Sequence, residues 1–302
     1  MQRNLCHHNT STGTYRTYTA SGPVYESPDK AVWCGVGELS DGRQFFVKIL
    51  DCGRIADAET AAEMAQLYRT EARTLKTIED CRVSVPKCYD YWRDNRTGQS
   101  VIVMERMKGV SLREWMRAHP AQNLSRRDMR ERLDILLQIC RIMKRIYEKH
   151  PNVIHRDLKP ENILIEENRN RSRKVSVVDF GCAGQDRMRI GTVNYQSPEQ
   201  TGIFTGNIGI STKNDIFSIG QIGYELFTGE VPVIGRDYLY RLGNNEWTET
   251  PSLPGDLMQI PGTDRLDGLL SGMTRLNPED RPVYSFIIGT LDGAARTMTH
   301  SN

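Results

Sequence analysis

The sequence predicts an α+β chain in two lobes, a small lobe built on an antiparallel sheet and a larger, mainly α lobe. Three observations lead there. Up to Glu105, short apolar runs are separated by turn signals, as strands require. Beyond Gly109, apolar residues recur at i, i+3, i+4 and i+7, the period of a helix face. The length, 302 residues, suits one two-lobed unit or about two domains.

Residues 1–17 are rich in Ser, Thr, Asn and His, show no periodicity, and read as a flexible tail. The small lobe is expected over 18–107. Within it, strands at 32–36 and 44–50 flank Ser40-Asp41-Gly42, a hairpin signal. Asp57 N-caps a helix running to about Ile78, with Met64, Leu67, Tyr68, Glu71 and Leu75 along one stripe. Two further strands, near 87–92 and 100–105, are joined through Asn95-Arg96-Thr97-Gly98. A hinge is expected at 106–109 and the large lobe over 108–294. There, Leu133, Leu136, Leu137, Cys140, Met143 and Tyr147 form one apolar face. Ile135, Ile139, Ile142 and Ile146 form a second, so this helix is expected to be buried nearly all round. Another helix runs over 215–228, and 295–302 closes the chain as a second flexible tail.

Composition narrows the partners. Forty Lys and Arg against 38 Asp and Glu leave a net charge of +2. That balance offers no field for a nucleic-acid backbone or an anionic membrane. No apolar run reaches the ~18 residues of a membrane span, and the first residues carry no apolar stretch of a secretory signal. Cys6, Cys34, Cys52, Cys81, Cys88, Cys140 and Cys182 are odd in number and lack C-x-x-C spacing. They read as reduced thiols in a cytosolic compartment.

Two segments carry chemistry. His155-Arg156-Asp157-Leu158-Lys159-Pro160-Glu161-Asn162 follows the buried helix, and Asp179-Phe180-Gly181 follows the apolar run 175–178. Here the sequence resembles the eukaryotic-type protein kinases, serine/threonine branch, over about 18–294. The resemblance implies the two-lobed kinase fold, with a five-strand antiparallel sheet and one regulatory helix in the small lobe. It also implies transfer of the γ-phosphoryl of ATP, with Mg²⁺, to Ser or Thr of a protein. Such a transfer spreads charge over oxygens and asks for hard cations held by oxygen ligands, a cation on the phosphates and an acceptor for the hydroxyl proton.

By resemblance, Asp157 orients the hydroxyl and takes its proton, and Lys159 lies near the transferred group. Asn162 and Asp179 hold Mg²⁺. Lys48, in Phe45-Phe46-Val47-Lys48, contacts the phosphates and pairs with Glu71. Met104 lines the back of the nucleotide pocket, backbone groups of Glu105 and Met107 meet the adenine edge, and Val32 and Leu164 sandwich the ring. Gly191-Thr192-Val193-Asn194-Tyr195-Gln196-Ser197-Pro198-Glu199 resembles the platform for a protein substrate, and Arg281 is expected to form a buried ion pair with Glu199. Asp215 opens the large lobe's central helix.

The chain departs from the family pattern at three places. Tyr25-Glu26-Ser27-Pro28-Asp29-Lys30-Ala31-Val32 stands where the family's phosphate loop reads G-x-G-x-x-G-x-V, with Tyr25, Ser27 and Lys30 on the glycine positions. Lys30 is expected to replace amide dipoles in part with a side-chain charge. Phe46 stands where the family has a small alanine. Finally, 182–190 contains no Ser, Thr or Tyr, so activity is expected not to depend on phosphorylation there, with Asp186 the local carboxylate for Arg156. Constitutive activity or an activating partner protein would take its place. Cys182 is expected as a small apolar filler, and Arg169, Arg171, Arg173 and Lys174 as a solvated hairpin tip. Glu161 and Glu225 point to a protein substrate basic around its acceptor hydroxyl. Kinases of this kind occur in eukaryotes and as bacterial proteins. The expected location is the cytoplasm, or the host-cell cytoplasm for a delivered bacterial effector. The alternative is a pseudokinase or scaffold binding module with lost or weak transfer. A small-molecule kinase is a third reading, disfavoured by Lys159 and the 191–199 platform.

Overall fold

The computed structural model describes residues 2–9, 14–94, 97–168, 172–183, 191–192, 194–201, 209–231 and 252–300. The chain falls into two compact units. One comprises Met1–Asp80 with Val85–Met107, the other Cys81–Ser84 with Lys108–Asn302.

The first unit is a six-stranded antiparallel sheet with one long helix. Its strands are β1 (Gln2–Asn9), β2 (Thr14–Glu26), β3 (Val32–Glu38), β4 (Gln44–Asp51), β5 (Cys88–Arg93) and β6 (Gln99–Glu105), in the order β1-β2-β3-β4-β6-β5. The β3–β4 connection turns at Gly42, whose φ of 83° is the left-handed backbone a tight hairpin needs. Helix α1 (Ala58–Thr77) begins where Asp57 accepts the Thr60 N–H.

Five strands and a tail over 1–17 were expected, and the structure corrects both. Residues 2–9 form β1, paired along its whole length with β2. The reason they escape a pattern reading is chemical. Arg3, Leu5 and His7 alternate on one side of β1, so no aliphatic alternation announces the strand. Arg3 sets its guanidinium 4.7 Å over the Trp33 ring. His7 stacks on Trp92 at 4.9 Å and 5°, with Nδ1 at 3.0 and 2.9 Å from the two Asp90 carboxylate oxygens. Tyr18 Oη donates to Asp90 at 2.9 Å. The two margins of the sheet therefore meet, rolled around a core of Tyr18, Trp33, Phe45, Val47, Ile49 and Val103.

In the second unit, β7 (Val110–Ser111), β8 (Ile163–Glu167) and β9 (Arg173–Val177) form a small antiparallel sheet. Helix α2 (Leu112–Ala118) opens with a Ser111–Glu114 capping box, and α3 (Arg126–Lys149) with one from Ser125 and Asp128. Both apolar faces of α3 are buried, as its double stripe requires. Helix α4 (Thr212–Thr228) starts at a third capping box, Ser211 with Asn214, and stops at Gly229 in left-handed backbone. Then come α5 (Gly255–Met258), α6 (Thr263–Met273) and α7 (Tyr284–His300). Helix α7 continues through 295–300, expected as a tail, because Met298 extends its buried stripe below Leu291 and Ala294. Helix α3 packs on α4 and α7, and α4 on α6. Arg173, expected at a solvated tip, lies in β9 bonded to Glu131 at 3.1 Å and Glu167 at 3.0 Å. Arg169, Arg171 and the Asn95-Arg96 turn lie outside the described residues. Among the described residues no helix is long and apolar enough to cross a membrane.

Candidate active site

In the first unit, alternation along the strands collects the expected nucleotide residues on one sheet face. Phe46 pairs with Met104 and Lys48 with Ile102 across β4–β6, while Val32 pairs with Leu50 and Cys34 with Lys48 across β3–β4. Residues paired in this way share a face, so Val32, Phe46, Lys48 and Met104 all lie opposite the core of Phe45, Val47 and Ile49. Lys48 Nζ is 2.9 Å and 3.0 Å from the two carboxylate oxygens of Glu71 on α1. Glu71 is buried, and a buried carboxylate needs such a partner. Glu105 ends β6 and donates its N–H to Lys87 O at 2.8 Å, so that group is closed to a ligand; Met107 follows two residues on.

The turn that replaces a glycine-rich loop is self-contained. Ser27 N–H donates to Val32 O at 3.0 Å and Lys30 N–H to Ser27 O at 2.8 Å. Ala31 N–H goes to Asp29 Oδ1 at 3.1 Å and Val32 N–H to Ser27 Oγ at 2.9 Å. Pro28 has no N–H to give. Lys30 holds φ 58°, the left-handed conformation at the third glycine position, now carried by a cationic side chain.

The second unit assembles its site at one loop. Asp157 Oδ2 accepts Lys159 Nζ at 2.8 Å, and Oδ1 accepts Thr192 Oγ1 at 2.8 Å. Lys159 Nζ also donates to Thr192 Oγ1 at 2.9 Å. Asn162 Nδ2 donates to Asp157 O at 2.8 Å and to Oδ2 at 3.2 Å. Its amide hydrogens are thus spent on Asp157, and Oδ1 is the lone-pair atom left for a cation. The carboxylate of Asp179 and this amide oxygen are hard donors of the kind Mg²⁺ takes. Asp179 has φ 68°, and the next residue, Phe180, is fully buried with its ring 4.6 Å from His155. Leu164, half-buried, lies in β8 opposite Ser111 and Ser176.

The loop backbone is pinned from below by a residue expected only as a helix start. Asp215 accepts the His155 N–H at 2.7 Å, the Arg156 N–H at 2.8 Å and the Tyr147 hydroxyl. Full burial raises its pKa, opposed by His155 and these donors. Near the platform, Gly191 has φ 124°, and a Cβ there would sit 2.8 Å from the Arg156 carbonyl oxygen. Beyond it, Arg281 and Glu199 make a bidentate pair at 2.6 and 2.9 Å, both side chains inaccessible. Cys182 behaves as filler: burial, then Asp157 and Asp179, push its thiol up to about 12. Asp186 and the rest of 184–190, together with Val193, lie outside the described residues.

Sequence reasoning missed Arg113, on α2. Its Nε donates to Glu161 at 2.8 Å, Nη1 to Glu225, and Nη2 to the Tyr195 hydroxyl at 2.6 Å. Tyr195 donates in turn to Glu225 Oε2 at 2.6 Å. Burial opposes the charge on Arg113, yet its two carboxylate partners outweigh that and raise its pKa. For Glu161, burial acts upward and Arg113 brings the carboxyl below its usual range. An isolated arginine in a short amphipathic helix gives no sequence signal. Glu161 and Glu225, the carboxylates expected to point to a basic substrate, both bond this internal cation.

The family model of the protein kinase domain matches residues 34–289. Among curated proteins, the chain is 29% identical over 259 residues to serine/threonine-protein kinase pkn2 of Myxococcus xanthus, covering 80% of this chain and 28% of that protein. It is 28% identical over 247 residues to serine/threonine-protein kinase PknA of Mycobacterium tuberculosis, covering 78% and 50%. With serine/threonine-protein kinase PrkC of Bacillus subtilis it shares 30% over 224 residues, covering 70% and 30%. The chain spans half or less of the length of these relatives.

Proposed function

Because the chain belongs to the protein kinase family, serine/threonine branch, we propose that it is an active enzyme that transfers the γ-phosphoryl of ATP to serine or threonine hydroxyls of proteins. The observation that carries this reading is the Asp157 carboxylate, held by Lys159, Thr192 and Asn162 at 2.8 to 3.2 Å. Three donors on one carboxylate fix its direction, which a base that must meet a hydroxyl in line needs. The acceptor hydroxyl gives its proton to Asp157 as its oxygen bonds to phosphorus, and ADP leaves with the electron pair of the broken P–O bond. Lys159 balances the charge that gathers beside Asp157. Asn162 and Asp179 would hold Mg²⁺, which would offset the negative charge of the phosphates. Lys48, oriented by Glu71, takes phosphate oxygens. Val32, Phe46, Met104 and Leu164 supply apolar surface for the base, and Lys30 supplies a charge where the turn's amides are already committed.

A second reading, a nucleotide-poor scaffold, draws on that same turn, whose N–H groups at Ser27, Lys30, Ala31 and Val32 all point inward. Incorporation of labelled phosphate separates the two. The parent is expected to label itself or a generic protein, and Asp157→Ala to lose about 10²–10⁴-fold in rate. Lys48→Ala is expected to fall with it, while Lys30→Ala raises KM for ATP and keeps kcat. Equal background in the parent and all three variants would establish the scaffold reading instead.

A further inference from the structure

We infer that Arg113 fills, from within the chain, the cation subsite beside the acceptor position, so that protein substrates are selected without a basic residue there. This rests on the kinase reading above and concerns the same site.

The placement follows from bonds on the catalytic loop. Glu161 precedes Asn162, whose amide donates to Asp157 O at 2.8 Å. Tyr195 N–H donates to Thr192 O at 2.8 Å, and Thr192 Oγ1 donates to Asp157 Oδ1 at 2.8 Å. Glu161 and Tyr195, two of the three partners of Arg113, therefore lie within a few residues of the group that receives the hydroxyl, and Glu225, the third, is bonded to Tyr195. Two carboxylates at such a place would take a guanidinium from a substrate chain, by the fork geometry that suits arginine. Here the fork is already occupied. Arg113 uses Nε on Glu161, Nη1 on Glu225 and Nη2 on Tyr195, one donor to each. Glu225 is buried and accepts from Tyr195 as well, so both its carboxylate oxygens are already committed. Glu161 is half-exposed, so solvent still meets one side of the cluster. A hollow of about 450 Å³ adjoins it, lined by Arg113, Arg117, His119, Glu225 and Glu230. Among the described lining residues, a substrate arginine laid there would meet the positive charges of Arg113 and Arg117, with Glu230 the one lining carboxylate that Arg113 does not bond.

The full chain, Glu161→Gln and Arg113→Ala are to be profiled on peptides that carry arginine or alanine at each position flanking one acceptor serine. The parent is expected to prefer arginine by less than about 2-fold, and Glu161→Gln to leave that ratio unchanged, because the carboxylate serves Arg113 and no substrate. Arg113→Ala is expected to gain an arginine preference of about 10-fold or more at one flanking position, the worth of a charge-assisted pair. A parent that prefers arginine about 10-fold, with the preference lost in Glu161→Gln, overturns the inference even if Arg113→Ala does not fold. A second readout needs no catalysis. Millimolar guanidinium chloride is expected to raise the melting temperature of Arg113→Ala above that in matched sodium chloride, and to leave the parent unmoved. If no peptide is labelled by any form, the kinase reading fails and the melting comparison alone decides this one; no rise there refutes it.

Discussion

At Arg281 the chemistry of one side chain decides a whole corner of the second unit. Its five N–H donors all find acceptors. Nε donates to Arg275 O at 2.8 Å, Nη1 to Glu199 and Lys213 O, and Nη2 to Glu199 and Leu276 O. Such a set is worth little net over an apolar core, but removing one partner leaves the other charge buried and unpaired. Arg281→Ala is therefore expected to lower the unfolding free energy by about 3–5 kcal/mol. Arg281→Lys should recover only part of that, since an ammonium has three donors and no planar fork. Urea unfolding measures both, and a loss under about 1 kcal/mol for the alanine variant would refute the assignment. Arg281 could be anticipated because it sits in a recognisable Asn-Pro-Glu-Asp-Arg-Pro string. Arg113 makes three such contacts and could not, since its carboxylate partners lie 48 and 112 positions away and nothing in its neighbourhood marks it.

Elements follow the same division between what a pattern announces and what only packing creates. Helices α1, α3 and α4 were legible through apolar residues at helical spacing, joined in α1 by the N-cap Asp57, whereas the caps Ser125 and Ser211 became visible only in the structure. The hairpin at Gly42 was legible because few residues accept its backbone. Strand β1 was not, because its inward residues are an arginine, a leucine and a histidine whose burial depends on Trp33 and Trp92 from distant strands. The turn at 27–32 was legible as a departure but not as a structure: five residues satisfy four backbone N–H groups among themselves there, which spacing alone does not reveal. If β1 closes the sheet margin through His7, His7→Ala removes one stacked pair and one carboxylate hydrogen bond. The expected cost is about 1–2 kcal/mol, read as a lower melting temperature. The KM for ATP should stay fixed, because Phe46 and Lys48 occupy the opposite sheet face. A variant as stable as the parent would mean that the sheet margins are held by Tyr18 and Asp90 without help from β1.

At the scale of the molecule, the proposed kinase activity raises the question of what turns it on. A kinase that waits for a phosphate needs a hydroxyl to carry it and a cation to receive it. Arg156 precedes Asp157, is buried, and has φ 69°, yet 182–190 offers no Ser, Thr or Tyr. The next hydroxyls are already employed. Thr192 Oγ1 donates to Asp157 and accepts from Lys159, and the buried Tyr195 hydroxyl lies between Arg113 and Glu225. A phosphate of charge about −1.5 to −2 on Thr192 would face Asp157, and on Tyr195 would face Glu225, so each would repel a carboxylate it now bonds. Phosphorylation at either position should silence the proposed transfer, not activate it. The protein treated with phosphatase is therefore expected to keep its full rate toward a protein substrate, measured beside an untreated sample and one allowed to autophosphorylate. Thr192→Ser, which keeps the hydroxyl on Asp157, should retain activity, and Thr192→Glu should lose it. A rate that collapses on phosphatase treatment and returns with phosphate mapped to Thr192 or Tyr195 would mean that the hydrogen bonds seen here belong to a resting state.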